Sequence, residues 1–350
     1  MVAMKLALNL GYMVGGDDPA GQLALTRHAE DLGFDSVWAA EAYGSDVVTV
    51  LSWLAGQTSR IGLGSGVMQI PGRTPAMTAM TAASLDVLSG GRFRLGLGVS
   101  GPQVSEGWHG VPFAKPLGRT REYLEIVEKA LRRETLAHEG KHHQLPLPGG
   151  AGKPLKLMLK PASDHIPTYL AAVGPKNLEL AGELTNGWLA VFFAAEFAGE
   201  QLASIKAGRD RAGKSMDDFD VVPTFPLVAG GADVAQLADP VRPYAALYVG
   251  GMGSRENNFY NNLAVRMGYA DAAKKVQDLY LARQPRDAMA ELPAEFIDRT
   301  SLLGDAARLT DRLAELAGAG VTTCSVSPYG RNIEEKCAAL TELAKAYERL

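Results

Sequence analysis

The chain has little of what marks secreted, nucleic-acid-binding or membrane proteins. Its 350 residues include only two cysteines, Cys324 and Cys337, with no CxxC motif or Cys/His cluster, so we expect a reducing compartment and no metal site. The net charge is −4 and no basic block occurs, so nucleic acid is not an expected partner. Because no apolar run could span a membrane and no signal peptide stands out, we expect a cytoplasmic protein.

The sequence does have a repeated alternation of short apolar runs and longer amphipathic segments. Hydrophobic residues make up 47% of the chain, enough for a large core. The runs lack polar alternation, which is typical of strands buried on both faces of a parallel sheet. Eight such strands with helices between them favour an α/β fold, a closed (β/α)8 barrel of the TIM type, over an open doubly wound sheet. The predicted strands are residues 5–10, 34–40, 61–68, 93–98, 168–173, 187–192, 221–228 and 321–326.

Two insertions interrupt the repeat, and we interpret residues 1–350 as one domain that carries both. Residues 133–166 are rich in glycine, proline and lysine and are predicted to lie on the surface. Residues 248–303 show further helical patterning between the seventh and eighth predicted strands. Arg255, Asn258 and Tyr260 make this second insertion a candidate substrate lid.

The segment 59–110 holds the most informative glycines. Gly62, Gly64 and Gly66 punctuate the third strand, either because a ligand approaches the backbone or because neighbouring strands need small residues there. The run 96–101 matches GxGxxG, but Pro102 follows it and we expect no helix to open there. No acidic residue ends a second strand about 20 positions on, so a dinucleotide site is not predicted.

Four segments together resemble a known family. They are GFDSVWAAEAYGSD at 33–46, the glycine-rich segment 59–110, AAVGPKNLELAGELTNGW at 171–188 and GVTTCSV at 320–326. In this order they resemble the bacterial luciferase-like superfamily and, within it, the coenzyme F420-dependent oxidoreductases. The resemblance implies a (β/α)8 barrel with a cofactor across its C-terminal mouth, where this fold places active sites.

The resemblance also implies which residues hold the cofactor. A bulge with a non-prolyl cis peptide backs the deazaflavin ring in this family, and here it would fall at Ser65-Gly66-Val67, followed by Met68 and Gln69. The residues that follow the fourth strand and would contact the ring edge or the tail are Ser100, Gly101 and Gln103. The phosphate would bind at a helix N-terminus formed by Gly174, Pro175, Lys176 and Asn177, although Lys176 is equally interpretable as a solvated surface lysine.

One departure from the family determines the expected chemistry. Members that oxidise the alcohols of sugar phosphates place an Asp-His pair after the second strand, whereas this chain has Glu41-Ala42. Because the histidine base is missing, we expect hydride reduction of an activated C=C or C=N bond by F420H2. Glu41 would line the site or serve as a hydrogen-bonding residue of the barrel mouth. His109 is the candidate proton donor, or else a structural histidine beside Trp108.

Two alternatives stay open at this point. An FMN-dependent monooxygenase of the same superfamily would share the fold and the shape of the ring site. A catalytically silent barrel that binds a flavin-like cofactor would also lack the base. In either case we expect a small-molecule substrate or ligand, no membrane partner, and a homo-oligomer, most simply a dimer.

Overall fold

The computed structural model describes residues 4–16, 18–231, 233–253, 255 and 258–350. The strands of this part are β1 (Lys5–Gly11), β2 (Ser36–Ala39), β3 (Gly62–Ser65), β4 (Met68–Gln69), β5 (Phe93–Gly98), β6 (His138–Glu139), β7 (Gln144–Leu145), β8 (Thr168–Ala171), β9 (Gly187–Val191), β10 (Asp220–Ala229), β11 (Leu302–Gly304) and β12 (Thr323–Pro328).

Eight of these strands close into a parallel barrel. The order around it is β1, β2, β3, β5, β8, β9, β10 and β12, and β12 pairs with β1 to complete the circle. β4 continues β3 alongside β5, and β11 pairs with the last residues of the long β10. The predicted barrel is therefore confirmed. β5 has the predicted bounds. The other barrel strands differ from the prediction by one or two residues at an end, except the third, which is split into β3 and β4.

Helices surround the barrel and connect its strands. They are α1 (Pro19–Asp31), α2 (Val47–Ala55), α3 (Pro75–Ser89), α4 (Pro102–Ser105), α5 (Pro116–Leu131), α6 (Pro175–Leu184), α7 (Ala198–Arg211), α8 (Val234–Ala238), α9 (Arg242–Ala246), α10 (Phe259–Arg266), α11 (Ala270–Leu281), α12 (Pro285–Ala290), α13 (Ala294–Arg299), α14 (Ala306–Gly318) and α15 (Ile333–Tyr347). Within the described residues, no helix is long and apolar enough to cross a bilayer, and no group of three or more His, Cys, Asp or Glu side chains could hold a metal ion.

Local sequence explains where several of these helices begin. Asp18 accepts hydrogen bonds from the backbone N–H groups of Ala20 and Gly21, and Pro19 takes the first helical position, where a missing N–H costs nothing. Thr74 and Pro75 start α3 in the same way. The expectation that no helix opens after Gly101 is wrong, since α4 begins at Pro102 and runs for 4 residues. A dinucleotide site is still excluded, because Gly96 and Gly98 lie inside β5 rather than in a turn.

The second insertion starts earlier than the sequence suggested. Its helical part begins at Val234 and runs through α8–α13 to Arg299, with an apolar core of its own that is separate from the core around the barrel. The first insertion contains the β6–β7 hairpin and is otherwise irregular and largely exposed. The helices of this region thus extend beyond the 248–303 limits inferred from the sequence, and both those limits and the division into one domain stay predictions.

Candidate functional site

The C-terminal ends of the barrel strands meet at one mouth, and the break between β3 and β4 lies there. The peptide bond between Gly66 and Val67 is cis, which confirms the predicted bulge. Both residues are half-buried. The Val67 side chain packs against Gly98 of the neighbouring strand, which has no Cβ to obstruct it.

Packing between strands accounts for most of the glycines around this bulge. A Cβ atom on Gly64 would overlap the indole ring of Trp38, which fills the inside of the barrel against Tyr169. A Cβ atom on Gly96 would overlap the carbonyl oxygen of Ser65. The small-residue explanation therefore holds for Gly64 and Gly96, and these contacts fix the backbone on which the bulge is built.

Three of the predicted cofactor contacts have buried side chains. Met68 has 0% exposure and packs in the main core, and Ser65 has 0% exposure. The Ser65 hydroxyl donates to the Gly96 carbonyl at 2.8 Å and accepts from its N–H at 2.9 Å. Gln69 is 2% exposed and fully engaged in the network described next. Ser65, Met68 and Gln69 are therefore enclosed by protein, and their contacts with a cofactor stay predictions.

Glu41 is the centre of a buried hydrogen-bonded network. Its carboxylate pairs with both terminal nitrogens of Arg73, with Nη2 to Oε2 at 3.1 Å, and accepts from the Gln69 backbone N–H at 2.8 Å. Arg73 also contacts Asp46. Burial alone would lower the pKa of Arg73, but its contacts with Glu41 raise it, so the guanidinium stays charged. Both carboxylate oxygens of Glu41 are therefore engaged at the barrel mouth, and its role as a catalytic residue stays a prediction.

His109 joins the same network through Gln69. The His109 Nε2 atom lies 2.6 Å from Gln69 Oε1, while Gln69 Nε2 donates to the Glu41 carbonyl at 2.9 Å. With the amide oriented this way, Nε2 of His109 carries the proton and donates it, which leaves Nδ1 as the second ring nitrogen. The structure thus links the two predicted catalytic residues, His109 and Glu41, by one glutamine. The sequence predicted Gln69 only as a cofactor contact and missed this bridge.

The residues after β5 lie at the same end of the barrel. Ser100 has a positive φ of 61°, and Gly101 caps α4. Both are half-buried, whereas Gln103 is exposed on α4. This placement is compatible with the predicted contacts to the edge or tail of a ring, which stay predictions.

The predicted phosphate site forms the start of α6, with Gly174 as its cap and Pro175 as its first residue. Lys176 is not a free cation there, because its Nζ lies 2.8 Å from Glu179 Oε1 and its side chain is 75% exposed. The spacing of three residues on a predicted helix was a signal that the sequence offered for this pair. Asn177 differs, since its Oδ1 atom is buried and has no hydrogen-bond partner among the described residues. A ligand with O–H or N–H groups would satisfy this acceptor.

Tyrosines gather above the mouth, and the sequence singled out only one of them. Tyr248 and Tyr260 of the second insertion are 4.8 Å apart between ring centroids, and Phe192, directly after β9, packs against both. Tyr12 and Tyr329 come from the loops after β1 and β12 and lie near enough to raise the pKa of Tyr248 further, beyond the main effect of burial. Burial raises the pKa of Tyr260 and of Tyr329 to about 12.

The hydroxyls of Tyr12, Tyr248, Tyr260 and Tyr329 have no hydrogen-bond partner among the described residues. Because they stay protonated near neutral pH, they can donate to an acceptor on a ligand. Asn258, a predicted lid residue, is instead buried: it caps α10 and donates to the carbonyls of Tyr248 and Val249, so it holds the tyrosines in place. Arg255 pairs with Asp278.

Known proteins resemble this chain in both sequence and fold. The family model for luciferase-like monooxygenases matches residues 4–323. A Mycobacterium tuberculosis protein, provisionally named a coenzyme F420-dependent oxidoreductase, is 42% identical over 96% of this chain and 99% of its own. A 5,10-methylenetetrahydromethanopterin reductase of Archaeoglobus fulgidus is 32% identical over 86% of this chain and 88% of its own. The structure of a coenzyme F420-dependent tetrahydromethanopterin reductase from Methanopyrus kandleri superimposes with a TM-score of 0.83 and 25% identity over 99% of each chain.

Proposed function

Because this chain belongs to the luciferase-like monooxygenase family, we propose that it is an oxidoreductase that uses coenzyme F420. In the proposed reaction F420H2 reduces an activated C=C or C=N bond of a small molecule. The relatives named above support the cofactor and the reductive direction, since their names specify coenzyme F420, a tetrahydromethanopterin reductase, or both. The observation that carries the direction is that Glu41, the acidic residue nearest the missing histidine base, is held by Arg73 and cannot serve as a free base.

The residues of the mouth fit such a cofactor. The half-buried bulge at Gly66 and Val67 would offer a surface against which a flat ring can lie. The unpaired Oδ1 of Asn177 offers an acceptor at the head of α6 for a hydroxyl-bearing side chain. A bound reduced deazaflavin would supply the hydride, while the protein supplies position and polarity.

Proton delivery then falls to side chains around the substrate. His109 is oriented by Gln69 and keeps one ring nitrogen outside that hydrogen bond. The hydroxyls of Tyr248 and Tyr260 stay protonated, so their role is to donate hydrogen bonds to the substrate and to polarise the bond that accepts the hydride. The rings of these tyrosines also exclude water from the mouth.

The cofactor preference gives the first prediction. We expect the purified protein to bind F420 at least tenfold more tightly than FMN, a difference of about 1.4 kcal/mol, measured by fluorescence titration with both ligands under one buffer. Equal or tighter FMN binding would favour the FMN-dependent monooxygenase alternative. Tight F420 binding without turnover on any acceptor would favour the silent barrel.

Lys176 gives a second prediction, revised by its pairing with Glu179. We expect Lys176→Ala to weaken binding of the phosphate-bearing cofactor by less than about fivefold, because an exposed ion pair contributes at most about 1 kcal/mol. A titration at low and high salt measures this, and salt should remove the difference. A hundredfold loss of cofactor affinity would show instead that Lys176 breaks its ion pair with Glu179 and binds the phosphate directly.

The proposal also includes general expectations about the substrate, the location and the assembly of the protein. We propose a small-molecule substrate, a cytoplasmic location, a single domain, and a homodimer. Exposed apolar side chains on α3, among them Met77, Met80 and Leu88, support the dimer, because surfaces of this kind are usually covered by a partner.

A further inference from the structure

A second candidate site lies outside the barrel mouth, at the start of α5. A cavity of about 590 Å³ opens there, lined by Ala114, Lys115, Gly118, Arg119, Lys141 and His142. α5 follows β5 after the short α4, so its N-terminus is at the same end of the barrel as the mouth. The opposite wall comes from the turn between β6 and β7, within the first insertion.

The cations of this cavity make no ion pair with a described residue. Among the described residues, no acceptor pairs with the side chains of Lys115, Arg119 or Lys141. The Nε atom of Arg119 is buried and has no hydrogen-bond partner, which normally costs about 1–3 kcal/mol unless a ligand or water satisfies it. In a chain of net charge −4, three unpaired cations around one cavity favour an anionic ligand.

The helix end adds to the positive potential. Lys115 occupies the cap position of α5 without a side-chain hydrogen bond, and no acidic residue lies in the first turn. The first backbone N–H groups of the helix are therefore uncapped, and the helix dipole favours a negative charge at this end. Gly118 leaves space for the ring of His142 on the floor of the cavity.

Glu122 holds the opposite wall in position. Its carboxylate accepts the backbone N–H groups of Lys141, His142 and His143, each at 2.8 Å. Burial would raise the pKa of Glu122, but these three hydrogen bonds lower it to about 2, so the carboxylate stays ionised. Because its oxygens are directed to the backbone of the turn, Glu122 positions the cations rather than neutralising them.

We propose that this cavity binds a small, multiply charged anion that carries phosphate or clustered carboxylate groups. Two sources have this chemistry: the anionic tail of the cofactor, or a separate phosphorylated or polycarboxylate metabolite. The proposal goes beyond the oxidoreductase assignment and does not depend on it, because the cavity can be tested with an inorganic anion alone.

Inorganic tripolyphosphate is the probe, and isothermal titration calorimetry on the full chain is the measurement. We expect saturable binding to the wild type that weakens at least fivefold in Lys141→Gln and in Arg119→Gln, and further as salt is raised. The matched control is Lys153→Gln, an exposed lysine of the same insertion outside the cavity, which should bind like the wild type. Thermal melting of each variant confirms that it is folded.

The second arm distinguishes the sources. If the anion is the cofactor tail, Lys141→Gln weakens F420 but not a tail-less deazaflavin, and tripolyphosphate competes with F420. If it is a separate ligand, tripolyphosphate and F420 bind together, and either result supports the site. The absence of saturable tripolyphosphate binding, or an equal loss in Lys153→Gln, overturns it. A failure of both deazaflavins to bind would instead contradict the proposed function and leave the cavity result standing.

Discussion

Glu41→Ala is expected to lower the free energy of unfolding by about 3–5 kcal/mol, the usual cost of removing one partner of a buried ion pair. The Glu41 and Arg73 side chains are 9% and 17% exposed, so water cannot replace the lost carboxylate. The backbone N–H groups of Val47 and Gln69 would lose an acceptor as well. Because Asp46 still contacts Arg73 and partly compensates its charge, we expect a loss of stability near the lower end of this range. Urea unfolding followed by circular dichroism measures it.

Two further variants separate structure from catalysis at this position. Asp46→Asn, whose side chain is 46% exposed and still able to cap α2, should cost less than about 1 kcal/mol. The double variant Glu41→Leu with Arg73→Met should regain part of the stability, because it removes the uncompensated charge. If Glu41→Ala instead kept its stability and lost turnover at saturating cofactor, Glu41 would be a catalytic residue after all.

The barrel could be predicted because its signal is local. Each strand is a short apolar run bounded by turn residues, and β5 at Phe93–Gly98 matches the prediction at both ends. The family resemblance supplied what periodicity could not, namely the cis peptide at Gly66–Val67. The fold and the family are both confirmed.

The side-chain partners could not be predicted, since they depend on contacts between distant parts of the chain. Arg73 and Glu41 are 32 positions apart in the sequence, and no local sequence pattern near either residue indicates that they form an ion pair. The burial of Met68 could not be predicted for a related reason: the bulge interrupts β3, so the alternation of inward and outward side chains does not carry over into β4. The ion pair between Lys176 and Glu179 could have been predicted, because the two residues are three positions apart on a predicted helix.

The tyrosines above the mouth could not be predicted for the same reason, because they come from distant parts of the chain. Tyr12, Tyr248 and Tyr329 lie far apart in sequence, and the barrel topology brings them together by placing each after or beyond the C-terminal end of a strand. A rule that loops after barrel strands carry function would have selected Tyr12 and Tyr329. It would not have selected Tyr248, which reaches the mouth only through the packing of the second insertion.

His109→Phe is expected to slow the reduction by ~10²–10⁴-fold, the usual contribution of a general acid, while cofactor affinity changes little. His109 is half-buried beside the turn that follows β4, and its Nε2 is fixed by Gln69 at 2.6 Å. That hydrogen bond orients the ring, and in the imidazolium form Nδ1–H would be the group that gives its proton to the substrate, leaving the neutral imidazole with its proton on Nε2. Single-turnover oxidation of F420H2, followed by absorbance with a reducible acceptor, measures the rate apart from binding.

Trp108→Phe is the matched control, because the neighbouring indole is 66% exposed and should tolerate the change without loss of rate. Gln69→Leu should slow the reduction less than His109→Phe, since it removes only the orientation of the ring. Added imidazole should restore part of the rate to His109→Ala, a rescue that a purely structural histidine would not show.

If His109→Phe kept its full rate, the histidine would serve only to anchor Gln69 and, through it, the backbone of Glu41. The proton donor would then be sought among the tyrosine hydroxyls, beginning with Tyr260→Phe, because burial keeps the Tyr260 hydroxyl protonated and no described residue occupies it.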